Sequence, residues 1–179
     1  MRPLLALLLA AAAHAQIVPA ANINTGGSVL SPGRQSIAAV ELLCNTRLYA
    51  LGTANDQIDM LGLTRGLYLK NFGAVFSTEI SLIVTPTTNP FRPTITRELH
   101  DQVHQKKLNR LPALRSAMLE MIKQAARELP QIPENQQIVI AVRLRYMNWE
   151  DRAGLPGQII MSASRKDALN GVVQTTDEE

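Results

Sequence analysis

The sequence predicts an α+β fold, with a four-stranded antiparallel sheet built from two hairpins and with helices packed on one face of that sheet. Two stretches, 67–84 and 138–164, alternate between apolar and polar residues, and helical patterns come before and between them. A period of two indicates strands, whereas apolar residues spaced by three and four indicate amphipathic helices. Helices that cover one face of an antiparallel sheet are typical of α+β domains.

The first residues have the pattern of a secretory signal peptide. Arg2 precedes a ten-residue apolar run, and an Ala-His-Ala motif then fits the small-x-small rule for cleavage before Gln16. Ten helical residues at about 1.5 Å each reach only part of a hydrocarbon core of about 30 Å. We therefore predict that residues 1–15 are removed, that no transmembrane segment remains in the mature chain, and that the protein is periplasmic or secreted.

The mature chain of 164 residues is long enough for one domain with an ordinary hydrophobic core. Its net charge falls from +3 to +2 when Arg2 is removed, and its basic residues form no run of five or six. Aromatic residues make up 4% of the sequence, too few for the stacking platforms that bind bases. These observations argue against a nucleic-acid partner.

Composition divides the mature chain into three parts. Residues 16–35 are rich in Pro, Gly, Ser, Thr and Asn, which predicts a flexible mature N-terminus. A single α+β domain is expected over 36–169, and the polar residues 170–179 are expected to form a frayed tail.

The first predicted helix ends at Gly52 and contains the lone cysteine, Cys44. One cysteine cannot form an internal disulfide, so we expect a buried packing residue; the alternative is a reactive or intermolecular thiol. The apolar stripe of this helix consists of Ile37, Val40, Leu43, Cys44, Leu48 and Leu51.

The first alternating stretch changes phase. Its apolar side chains occupy odd positions at Leu67 and Leu69 and even positions from Phe76 onward. A turn at residues 71–73, where a glycine supplies a positive φ, explains the change, and Leu67 and Leu69 are then expected to face the core. The alternative is one kinked strand of nearly twenty residues, but strands usually have three to ten.

Three prolines between 86 and 93 predict a surface loop, and a helical region follows from near Thr94. Pro112 is poorly tolerated inside a helix, so this region is expected either to split near Arg110 or to kink there. The apolar stripe beyond this proline consists of Leu111, Leu114, Ala117, Met118, Met121, Ile122, Ala125 and Leu129.

Residues 138–147 alternate, and residues 159–164 alternate again after a turn-rich connection, which predicts the second hairpin. The sheet face that points away from the core contains more apolar residues than a freely solvated face needs. We interpret it as a potential docking surface. Its expected members are Lys70, Val75, Glu79, Ile83, Val139, Arg143, Arg145 and Ile160.

His100 and His104 lie four residues apart on a predicted helix, in a five-residue motif that resembles the zincin pattern with Asp101 in place of its glutamate. The resemblance implies two zinc-binding imidazoles, and it requires a third ligand, for which Glu120 or Glu128 would have to serve. Asp101 is one methylene shorter than glutamate, and the surrounding residues are typical of the solvated side of a helix. We therefore favour a structural role for the two histidines.

Trp149, the only tryptophan, lies at the end of a predicted strand and beside a flexible connection. Its ring either caps the core or anchors a partner, and Phe72 in the other hairpin presents the same alternatives. The predicted partner-binding residues are therefore Phe72, Arg143, Arg145 and Trp149.

The sequence contains no nucleophile elbow and no dinucleotide-binding fingerprint, and we expect no cofactor. We predict an exported, non-catalytic interaction or assembly module of the bacterial envelope, whose partner is an envelope protein or a second copy of the chain. The alternatives are a small metal-dependent hydrolase that uses His100 and His104, and a carrier of a small apolar ligand.

Overall fold

The computed structural model describes residues 31–53, 56–85 and 94–179. This part of the chain forms α1 (Arg34–Tyr49), β1 (Asp59–Met60), β2 (Arg65–Leu69), β3 (Gly73–Ser81), α2 (Arg97–Glu128), β4 (Gln137–Leu144), β5 (Gln158–Ser164), α3 (Arg165–Leu169) and β6 (Gln174–Glu178). The α+β class is confirmed. The predicted signal peptide, most of the predicted flexible N-terminus and the predicted loop at 86–93 lie outside the described residues.

The sheet has six strands and is mixed, so the prediction of four antiparallel strands is wrong. β3 and β4 run parallel, and Gly73 pairs with Gln137 at one end of this ladder while Ile80 pairs with Leu144 at the other. The connection between them explains this direction. α2 is one continuous helix of 32 residues that contains Pro112, so of the two predicted outcomes, a split or a kink near Arg110, the split does not occur. A single helix that runs back along the sheet returns the chain to the end where β3 began, which makes the next strand parallel.

The two hairpins are confirmed, as β2 pairs antiparallel with β3 and β4 pairs antiparallel with β5. The first turn has positive φ angles at Asn71 (66°) and Gly73 (133°). Gly73 is also required by space, since a Cβ at this position would lie 1.8 Å from the carbonyl oxygen of Gln137 on the parallel neighbour.

Leu67 and Leu69 face away from the core, so the prediction that they face the core is wrong. Leu67 pairs with Val75 and Tyr68 pairs with Ala74. Directly opposite residues on neighbouring strands point to the same face, so the buried Ala74 places Tyr68 on the inner face and Leu67 on the outer one. Odd positions face outward on both strands, so the change in the apolar pattern reflects leucines on the outer face and not a change of orientation.

β1 and β2 lie end to end along the same edge of β3, since β4 occupies the other edge. Between them, the four residues 61–64 face only the two residues 78 and 79 of β3, which makes a bulge with two extra residues. The hydroxyl of Thr78 donates to the carbonyl oxygen of Gly62 over 3.2 Å and so fixes the bulge against the sheet.

α1 covers the free edge of β2 with two polar side chains one helical turn apart. The backbone N–H of Gly66 donates to Oε1 of Glu41, and the backbone N–H of Thr64 donates to Oδ1 of Asn45, each over 2.8 Å. Arg34 donates to both carboxylate oxygens of Glu41, over 3.0 and 3.1 Å. Edge N–H groups that already donate to side chains cannot donate to a further strand.

The core lies between the helices and the inner face of the sheet. Cys44 is buried in it, as predicted, and burial raises the pKa of its thiol to about 12. Ile83, which was expected on the outer face, is also buried. The inner sheet face consists mainly of Ala74, Phe76, Ile80, Ile138, Ile140, Val142, Leu144, Ile159, Met161 and Ala163.

The polar segment at 170–179 differs from the frayed tail that its composition predicts. Residues Gln174–Glu178 form β6, which pairs antiparallel with β5. Asp177 on this strand receives a bidentate hydrogen bond from Arg115 of α2. A charge-assisted contact thus ties the last strand to the helix layer.

Candidate functional site

The outer sheet face is the set of strand residues that alternate with the buried ones, and no helix of the described chain covers it. Cross-strand pairing places Leu67, Val75 and Val139 in one row across three strands. The neighbouring row contains Ala141 beside Ile160. Apolar side chains therefore occupy most of the centre of this face, and the charged Arg65 lies at its β2 border.

Four leucines border the outer sheet face on its β1–β2 side. Leu61 and Leu63 project from the bulge, and Leu67 and Leu69 project from β2; each is 45–55% exposed. Bulges often aim side chains at a functional surface. Leucines at this exposure are ordinary when they occur singly, but two pairs on one border, separated by the exposed Arg65, form a patch of the kind that marks an interaction surface.

A hollow of about 360 Å³ lies between the leucines of the bulge and the charged end of the outer sheet face. Its floor includes Ser77 and Ala141, and Glu79 and Arg143 face each other across the β3–β4 ladder. Glu79 also accepts a salt bridge from Arg145, with 3.1 Å between Oε1 and Nε. Within the described ranges, no carboxylate lies within 4 Å of the Arg143 guanidinium.

A second cleft, of about 700 Å³, lies beyond the carboxyl end of β4 and is lined by Arg143, Arg145 and Arg152. The guanidinium of Arg152 lies 5.3 Å from the centre of the Tyr146 ring, a cation–π geometry that holds the arginine in place. The Tyr146 hydroxyl donates to the carbonyl oxygen of Pro156 over 2.7 Å, and burial raises its pKa above the usual value.

Under this cleft lies a buried ion pair that the sequence interpretation missed. The ammonium of Lys107, on α2, donates to Glu150, and the two side chains are 0% and 1% exposed. Lys107 also contacts the carbonyl oxygen of Arg145 at 3.4 Å and lies 4.8 Å from the centre of the Tyr146 ring. These contacts fix the loop that carries Arg145 and Arg152.

Burying these two charged groups is unfavourable. Burial lowers the pKa of Lys107 below its usual value, and the hydrogen bond and negative charge of Glu150 oppose that effect only in part. Oε1 of Glu150 is buried and has no hydrogen-bond partner among the residues described. Both side chains are almost completely buried, so the pair holds the loop in position against α2.

Spacing was the signal for Lys107. Val103 and Leu111 are buried residues of α2, and Lys107 lies midway between them at intervals of four. This position faces the core on a helix. A lysine there requires a buried partner, which Glu150 provides.

The histidine pair does not form a metal centre in the described ranges. His104 Nδ1 lies 3.1 Å from the carbonyl oxygen of Asp151, and His100 Nδ1 lies 3.2 Å from Oδ1 of Asp101. Within residues 31–53, 56–85 and 94–179, no group of three or more potential ligands is arranged to hold a metal ion. No contact in this geometry favours the hydrolase alternative.

The four predicted partner-binding residues do not form one site. Arg143 and Arg145 lie together at the carboxyl end of β4, and Trp149 follows them, with its ring centre 6.4 Å from that of His100. Phe72 lies at the opposite end of the sheet, where its carbonyl oxygen accepts from Gln137. Seven residues at about 3.3 Å place it roughly 23 Å from the arginines. The parallel β3–β4 pair is the reason, because it puts the two hairpin turns at opposite ends.

The fold and these surfaces define an α+β protein with a mixed sheet that is covered by helices on one face and bears a leucine-edged apolar surface on the other. The chain matches none of the protein-family models, curated proteins or solved structures with which it was compared. Across the described residues, no helix combines the length and the apolar character needed to span a membrane.

Proposed function

We propose that the protein is an exported, non-catalytic interaction module that binds another protein through its outer sheet face. The row of half-exposed leucines along an uncovered apolar sheet face carries this proposal. The leader pattern supports export to the periplasm or the exterior. The members of the row are Leu61, Leu63, Leu67 and Leu69.

The energetics indicate how large the covered surface must be. Full burial of a leucine contributes about 1.5–3 kcal/mol, so covering four half-exposed leucines contributes about 3–6 kcal/mol. Association costs about 4–15 kcal/mol in lost freedom of motion. The leucines alone are therefore insufficient, and the partner must also cover the central residues Val75, Val139 and Ile160.

Site-specific photo-crosslinking in the producing cell tests this proposal. A photoreactive p-benzoylphenylalanine at position 67 lies on the outer sheet face and should give a cross-linked adduct of discrete mass. The matched control places the same group at position 42, where the native leucine is 67% exposed on α1. We expect no discrete adduct there, because that side chain points away from the sheet.

Two results would overturn the proposal. One is the absence of any discrete adduct from position 67, and the other is an equal yield of the same adduct from position 42. Either would mean that no partner covers the outer sheet face in preference to the helix layer.

A further inference from the structure

We infer that the partner of the outer sheet face is a second copy of this chain, bound face to face. The two-fold axis lies midway between the two sheets, parallel to the strands and above the β3–β4 ladder. This inference rests on the proposed function, and it adds the identity of the occupant. Two sheets pack face to face about 10 Å apart when their inner surfaces are apolar and complementary.

Charge complementarity supports this arrangement. A two-fold axis between β3 and β4 places β3 of one copy over β4 of the other, so residues that pair across this ladder also meet between the copies. Glu79 pairs with Arg143 in the register. Each Glu79 then lies opposite an Arg143 of the second copy, and the same contact occurs twice.

Arg143 is available for this contact, because within the described chain its guanidinium has no carboxylate within 4 Å. Glu79 already has Arg145 at 3.1 Å through Oε1. A carboxylate has two oxygens and accepts more than one donor, so Glu79 can bind a second guanidinium as well.

The sizes of the side chains also match about this axis. In the row next to the charges, Ser77 lies opposite Ala141 of the second copy, and one row further Val75 lies opposite Val139. Beyond these central strands, β2 lies over β5. Leu67 then lies opposite the small side chain of Ser162, and Leu69 lies opposite Ser164. At these two positions a large residue faces a small one, as interdigitating sheets require, and in the row next to the charges the aliphatic stem of Arg65 lies over Ile160.

The area that the two copies cover is that of a small interface. The axis overlays four strand positions, β2 to β5, and four positions at about 4.8 Å with a strand length of seven or eight residues at about 3.3 Å give a flat overlap of roughly 475 Å². A standard interface buries about 800 Å² of accessible surface per partner. Accessible surface exceeds flat area where side chains project, so the overlap approaches the lower end of specific interfaces, about 600 Å² per partner.

Sedimentation equilibrium of the mature full-length chain tests the inference. We expect a dimer in the wild type. Each of the single variants Arg143→Glu and Glu79→Arg places like charges opposite each other at both symmetric contacts, and should raise the dimer dissociation constant by about a hundredfold or more. Glu128→Arg, on the exposed side of α2, is the control and should leave the dimer unchanged.

Mixing the two single variants is the decisive step. In a mixed dimer, the arginine at 79 faces a glutamate at 143, and the native Arg143 faces the native Glu79, so both contacts are attractive. An equimolar mixture should therefore dimerise although each variant alone is monomeric. If either substitution only disturbed its own subunit, for example by misfolding it, mixing the two variants would not restore the dimer.

A monomeric wild type, or a mixture that stays monomeric, would overturn the inference. The adduct at position 67 then shows whether the proposed function fails as well. An adduct of twice the subunit mass agrees with the second copy. An adduct with a different protein rejects the second copy but retains the outer sheet face as a docking surface, and no adduct rejects both.

Discussion

Lys107 shows how one residue of a helix can determine the position of a distant loop. It occupies a core-facing position of α2 and brings its charge to Glu150, 43 residues further along the chain. Neither group has access to water, so each needs the other. Breaking such a pair by removing one partner is more costly than removing both, because the remaining charge stays buried.

We predict that Lys107→Met lowers the free energy of unfolding by about 3–5 kcal/mol, because Glu150 then lacks a counter-charge. The double variant Lys107→Met/Glu150→Met should lie close to the wild type. Lys106→Met is the matched control, since Lys106 forms a half-exposed ion pair with Asp56, and should change stability by less than about 1 kcal/mol. Urea denaturation measures all three. Equal losses in the single and double variants would show that the pair itself stabilises the fold.

α2 is the element that determines the topology. Its length takes the chain from the end of β3 back to the start of β4 in one pass. The side chain of Thr96 caps its first turn, where the hydroxyl accepts from the N–H of Leu99. The helix continues through Pro112 because the proline is exposed on the solvent side and the buried stripe on the other side is uninterrupted.

We predict that Pro112→Ala raises the free energy of unfolding by about 1–3 kcal/mol. Proline inside a helix lacks the N–H that would bond to the preceding turn, and alanine restores it. The exposed neighbour provides the control, as Ala113→Gly should lower stability by about 0.5–1 kcal/mol. Thermal and chemical denaturation test both. If Pro112→Ala were destabilising, the proline would be contributing to the helix instead of weakening it.

At the scale of the whole molecule, the two edges of the sheet are protected from further strand pairing in different ways. α1 covers the β2 edge through Glu41 and Asn45, whereas β6 forms the other edge with polar and acidic residues. Acidic edges discourage further strands. Burial alone would raise the pKa of Glu41, but hydrogen bonds from Arg34 and Gly66 and the nearby positive charges outweigh it, and the pKa lies below its usual value.

Stability should therefore decrease in acid. A carboxyl whose pKa is lowered in the folded state binds fewer protons there than in the unfolded chain, so it contributes stability above its ordinary pKa. That contribution is lost as the pH falls from about 4.5 through the folded-state value of Glu41. The hydrogen bond from Arg115 lowers the pKa of Asp177 in the same way.

We predict that Glu41→Gln flattens the dependence of unfolding free energy on pH below about 4.5, and that Asp177→Asn does so to a smaller extent at its more exposed surface pair. The glutamine amide at position 41 keeps an oxygen for the N–H of Gly66 but cannot titrate. Urea denaturation at a series of pH values from about 3 to about 7 measures the slopes. A slope in Glu41→Gln that equals the wild-type slope would assign the acid sensitivity to other carboxyls.

The features that the sequence by itself determined are the local ones. Periodicity within one segment located α1, the second half of α2 and the second hairpin, and the glycine at 73 marked the turn of the first hairpin. Each of these depends on residues that are neighbours in the chain, so propensity and spacing suffice to predict them.

Only the tertiary structure decided the features that depend on distant residues. The direction of β4 depends on whether the connecting segment is one helix or two, and the face that Leu67 occupies depends on its pairing with Val75. The role of Lys107 depends on Glu150. A shift of one residue in register moves a whole strand to the other face. For this reason the leucine row, which the sequence assigned to the core, forms part of the surface that we propose as the interface.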